Sequence, residues 1–160
     1  MFGRPALRGH IVTAVFLFFG SAAPLVAEET TQRDTNSYAP SLGDMMVDIQ
    51  LRHSKLWYAS QAKNWRLADY ELRQLSSSFD RVTKFYPDVP ASALTETNKL
   101  ANLIGKSVAA KDDAAFDISF DRMTAECNSC HRASDRTFIV IRKPTFPSPY
   151  SNQVFAPAQE

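Results

Sequence analysis

The sequence predicts an all-α protein: an antiparallel four-helix bundle with a Cys-x-x-Cys-His motif near the end of its last helix, followed by an extended, proline-rich tail. Three observations predict it. Four consecutive stretches repeat apolar residues at three- and four-residue spacing, with no strand-like alternation between them. Their connections are short and carry capping residues or prolines, as antiparallel neighbours require. Pro144, Pro147, Pro149 and Pro157 then exclude a long helix from the C-terminal segment.

Residues 1–27 read as a secretory signal peptide. Arg4 and Arg8 form a basic start, an apolar run spans Ile11 to Phe19, and small residues follow. Cleavage fits after Ala23 or Ala27, and Ala27 is preferred because charge begins immediately beyond it. The apolar run is much shorter than the roughly 20 residues that span a bilayer. Residues 28–40 are polar and aperiodic, a flexible lead-in.

The bundle is expected over residues 41–134. The first helix should run from about Ser41 to Lys63, with Ser41 and Asp44 in capping-box positions. Its stripe is Leu42, Met46, Ile49, His53 and Leu56. The second should run from about Trp65 to Tyr86, between Asn64 as N-cap and Pro87 as stop. Its stripe is Ala68, Leu72, Leu75, Phe79, Val82 and Tyr86. A third helix is expected from about Ser92 to Ala110, built on Leu94, Ala101, Ile104 and Val108. The fourth begins after Asp112 and Asp113, whose carboxylates suit a helix N-terminus. Its stripe runs Phe116, Phe120, Met123, Cys127 and Cys130. Residues 135–160 form the tail. Its aromatic and β-branched residues suggest either an extended run against the bundle or an irregular extension packed elsewhere.

The chain has 160 residues and a formal net charge of +1. Removing residues 1–27 leaves 133, enough for one domain with its own core, and takes the charge to −1 as Arg4 and Arg8 leave. That balance is unlike the basic footprint of a nucleic-acid binder. No second apolar segment is long enough for stable membrane insertion, so a soluble exported protein is expected.

Both cysteines and one of three histidines fall within Cys127-Asn128-Ser129-Cys130-His131. Cys-x-x-Cys-His is the attachment signature of haem c: two thiols add to the vinyl groups and the histidine ligates the iron. Three other uses of the pair compete. A disulfide across two residues is strained and closes too small a loop to stabilise much. A thioredoxin-type pair belongs in a βαβ setting, which is not found, and a zinc site needs four ligands whereas the chain has no second Cys or His pair at metal-ligand spacing. One covalent haem c and its iron are therefore the expected cofactors. Since the cysteines continue the core stripe, and His131 is four residues from Cys127, the group would point into the bundle.

Four helices with a single such motif near the end of the last one resemble the class II c-type cytochromes, the cytochrome c prime family. The resemblance covers roughly residues 41–134. It implies thioether sites at Cys127 and Cys130 and a proximal ligand at His131. Family members with five-coordinate iron place an apolar residue of the first helix over the open face, and low-spin relatives use a methionine of that helix. The resemblance also implies a homodimer paired through the first two helices. The long tail departs from the family pattern.

The sixth iron position is left open among His53, Met46 and no protein ligand. Met46 and His53 share one stripe about 10 Å apart along the axis, so only one can reach the metal. Counting layers favours Met46. His53 is favoured by the family's placement of this residue well inside the first helix, and by the cost of an unpaired buried imidazole. A core histidine held by a hydrogen bond and a gap-filling methionine are the plain alternatives. Met45 lies off the stripe, and His10 falls in the signal peptide. Arg52 and Lys55 flank His53 and could pair with propionates or stay solvated.

The expected function is single-electron transfer between periplasmic redox proteins. The competing one is capture of a diatomic gas, nitric oxide or carbon monoxide, at an open or displaceable sixth site, with Ile49 as an apolar cap. A peroxidase with His53 as distal base is the third. No nucleophile–base pair, phosphate loop or second metal site suggests any other enzyme.

Overall fold

Ser41 opens the first helix by accepting the Asp44 N–H at 3.1 Å, satisfying one of the unpaired donors of a helix start. The computed structural model describes residues 39–158. The expected signal peptide and all but the last two residues of the lead-in lie outside the described residues. Four α-helices and no strand occur among the described residues: α1 Leu42–Gln61, α2 Trp65–Phe85, α3 Ala91–Ala110 and α4 Asp113–Ala133.

The boundaries follow local chemistry. Asn64 caps α2 by accepting the Leu67 N–H at 3.1 Å. Pro87 lacks an N–H and disfavours helical geometry in the residue before it, so α2 stops at Phe85. The third helix starts at Ala91, one residue earlier than expected, with Pro90 in front of it and no side-chain cap. Asp112 caps α4 through the Ala115 N–H at 3.0 Å, and Asp113 sits in its first turn. The left-handed conformations of Lys63 (φ 60°) and Lys111 (φ 56°) turn the chain after α1 and α3.

The helices pack in chain order: α1 on α2, α2 on α3, and α3 on α4, whereas α1 and α4 touch only thinly. Leu56, Leu75, Val82, Ile104, Phe116, Phe120 and Met123 are fully buried between them. Each such side chain contributes about 1.5–3 kcal/mol when removed from water. Ile49, His53 and Leu56 of the expected α1 stripe are buried, and the difference lies at its start. Met45 is 3% exposed and belongs to the core, whereas Met46 is only half-buried. Two adjacent positions can both face inward because the buried face of a helix is wider than a single row.

A polar network also joins α1 to α2. Arg52 pairs with Glu71 at 3.1 Å and Asp48 at 3.3 Å. The Ser78 hydroxyl donates to Asp48 at 2.7 Å, and Arg81 reaches the same carboxylate at 2.9 Å. Glu71 is only 2% exposed, so Arg52 is required where it is.

Residues 135–158 contain no helix or strand. They nevertheless contact the bundle: the Tyr58 hydroxyl donates to the Thr145 carbonyl at 2.7 Å, and Phe146, Tyr150 and Phe155 surround the Tyr58 ring. Lys143 reaches Asp121 on α4 at 2.8 Å. No helix among the described residues is long and apolar enough to cross a membrane.

Candidate functional site

The first turns of α1, the end of α2, the start of α3 and the end of α4 meet at one end of the bundle, as an up-and-down connectivity requires. That end holds a cavity of about 640 Å³, lined by residues of both α1 and α4. Its volume falls within the range of sites that hold small organic molecules. Leu42, Ile49, Phe79 and Leu94 give it apolar walls, and Ile139 and Ile141 of the tail close one side.

Cys127, Cys130 and His131 all line this cavity, and so do Met46 and His53 from the opposite helix. The five residues singled out in the sequence are thus brought to one space. Both cysteines are half-buried and free. Burial, followed by the nearby Cys130 and Glu126 charges, pushes the Cys127 thiol up to about 12. Redox-active Cys-x-x-Cys pairs do the opposite, because they need a thiolate near neutral pH. The site is therefore poorly suited to disulfide exchange.

His131 is oriented by the tail. Its Nδ1 lies 3.0 Å from the Ile139 carbonyl oxygen. A carbonyl can only accept, so Nδ1 carries a proton; in the neutral ring Nε2 is then the bare nitrogen, the tautomer a metal ligand requires.

His53 is 3% exposed and held differently. The Thr124 hydroxyl donates to the Phe120 carbonyl at 2.9 Å, so its oxygen accepts from His53 Nε2 at 2.9 Å. The ring also stacks on Phe120, with centroids 4.3 Å apart. Burial holds its pKa down to about 4, so the ring is neutral. His53 thus bridges the thin α1–α4 seam at the cavity wall, which Met46 and Ile49 of the same helix also line.

Neither flanking cation is loose. Arg52 is engaged by Glu71 and Asp48, and Lys55 lies 5.5 Å from the centre of the Tyr150 ring. Among the described residues no three or more His, Cys, Asp or Glu side chains group to hold a metal ion on their own. No family model matches this chain, and no curated protein or solved structure does either.

Three participants were not legible from the motif alone: Thr124, Asn128 and the Ile139 carbonyl. Thr124 offered one signal, since it sits one turn before the motif on a helix whose inner face was already identified. The Ile139 carbonyl offered none.

Proposed function

We propose that this chain is an exported, periplasmic monohaem c-type cytochrome that carries single electrons between redox proteins. The observation that carries the reading is the convergence of Cys127, Cys130 and His131 on one apolar cavity of about 640 Å³, with the tautomer of His131 already set by Ile139. The donor set fits the cofactor: two thiols for thioether bonds, one imidazole with a bare nitrogen, and apolar walls for a macrocycle. Arg136 also lines the cavity and would be a cation for a propionate to pair with.

A haem held there supplies reversible one-electron chemistry at its iron. The protein supplies everything else. Cys127 and Cys130 would fix the group, His131 would supply an iron ligand, and the apolar walls would keep water out. The potential would then depend on the facing wall: a nitrogen ligand from His53 would lower it, whereas the sulfur of Met46 would raise it. Transfer needs only an edge near the surface and a transient partner.

A second reading has its own support. His53 Nε2 is engaged by Thr124, and Ile49 lines the cavity. With His53 kept in that bond, the sixth position stays free for a diatomic gas under an apolar cap.

Absorption and spin-state spectra of the holoprotein, repeated for His53→Ala and Met46→Ala, decide between the two. Electron transfer with His53 ligation predicts a low-spin wild type that only His53→Ala turns high-spin. A thioether absorption band lost in Met46→Ala assigns the ligand to Met46 instead. A high-spin wild type that takes up carbon monoxide supports gas capture and contradicts the first reading.

A further inference from the structure

The chain beyond α4 turns back and runs along the helix that carries the motif. The turn is built by backbone bonds. The Arg136 N–H donates to the His131 carbonyl at 2.8 Å and the Asp135 N–H to that of Arg132 at 3.3 Å, with Asp135 in the left-handed region (φ 56°). That is a Schellman ending, here with aspartate where glycine is usual. Antiparallel contacts follow in order: Ile139 meets His131, Ile141 meets Asn128, and Lys143 meets Asp121.

The Asn128 contact is the most specific of these. Its Oδ1 accepts the Ile141 N–H at 2.7 Å, while its Nδ2 donates to the Ile141 carbonyl at 2.8 Å and the Thr124 carbonyl at 3.1 Å. The side-chain amide thereby pairs with Ile141 as a neighbouring strand would. Its orientation is fixed, because a flipped amide would set a donor against the Ile141 N–H. Along residues 138–141 the side chains alternate. Ile139 and Ile141 line the cavity, whereas Phe138 and Val140 are 80% and 75% exposed.

We infer that Asn128 and the returning segment Ile139–Ile141 form a clamp that holds the His131 ring in its Nδ1-protonated tautomer and closes the cavity on that side. Asn128 is a positioning residue, acting through Ile141 and Ile139 on His131. A carbonyl accepting the far N–H of a ligating histidine fixes the ring and makes the ligand more basic. This inference rests on the haem reading above, but the clamp belongs to the polypeptide and can be tested without the cofactor.

Two measurements test it, one on each form. In the haem-free full chain, ¹⁵N NMR of the His131 ring should show Nδ1 protonated and Nε2 bare, and the Ile141 amide should be protected from hydrogen exchange. In Asn128→Ala that amide should exchange at least tenfold faster. In the holoprotein the same substitution weakens the support of His131, makes it less basic and stabilises the reduced state. The oxidised-to-reduced ratio at fixed potential should shift on the order of tenfold, an upward move of about 59 mV for one electron. A neutral wild-type His131 ring protonated at Nε2 in place of Nδ1, or an Ile141 amide that exchanges equally fast in both chains, overturns the clamp, as does an unchanged potential. Should Asn128→Ala fail to fold, the wild-type ring tautomer decides alone. Absence of haem from the wild type would instead sink the functional reading, leaving the clamp to the haem-free measurements.

Discussion

His53 stacks on Phe120 and donates to Thr124 inside a seam where α1 and α4 barely meet, and two consequences follow. The first is a pH dependence of folding. Its pKa is near 4 in the folded chain against 6.5 in the unfolded one. Above 6.5 both states are neutral and nothing changes. Between 6.5 and 4 the unfolded chain binds the proton that the folded one refuses, so stability falls as pH drops. The full loss is roughly 3 kcal/mol, at about 1.4 kcal/mol per pH unit. Urea unfolding of the haem-free chain across this range should show the decline, and His53→Leu should lack that part of it. The second consequence concerns ligation. Removing the Thr124 hydroxyl with Thr124→Val takes away a bond worth about 1 kcal/mol and leaves the imidazole N–H unpaired. If His53 is the sixth ligand, the low-spin fraction of the holoprotein should rise about fivefold relative to the high-spin one. A spectrum that stays high-spin would mean the ring never exchanges Thr124 for the metal.

At the scale of elements, α1 and α2 share more than an apolar seam. Glu71 is almost wholly buried and its only cation is Arg52 among the ion pairs of the described residues. Removing one partner of a buried pair strands the other, at a usual cost of about 3–5 kcal/mol. Arg52 retains 23% of its side-chain exposure, so screening by water trims Arg52→Ala to about 2 kcal/mol. The paired replacement Arg52→Met with Glu71→Leu should recover most of the loss in thermal unfolding. The helices themselves were readable from periodicity and caps: Ser41, Asn64 and Asp112 all cap as their residue types suggest. What periodicity could not resolve was which neighbour each inward residue meets. Met45 and Met46 exchange roles because one residue of rotation separates core from cavity wall. Glu71 follows Ala68 by three positions on the same face, but its charge gave no sign of its burial. Thr124 is 71 residues from His53, and no local pattern records such a pairing. The tail was legible as non-helical through its prolines, but its attachment uses backbone carbonyls at Ile139, Ile141 and Thr145, which side-chain composition does not report.

At the scale of the molecule, the bundle is a frame left open at one end. Three helix pairs pack closely and the fourth seam, between α1 and α4, is thin, and the cavity lies where Cys127, Cys130 and His131 stand. The returning tail then covers one side of the opening. A chain built this way has an apolar-walled cavity beside its two thiols. Intact mass of the protein expressed with its full N-terminal sequence in a host that attaches haem c tests the account most directly. Export and haem attachment predict cleavage after Ala27, the added mass of one haem, and no thiol left for alkylation. A chain recovered with both thiols alkylatable, or joined to each other, and no tetrapyrrole mass would contradict it.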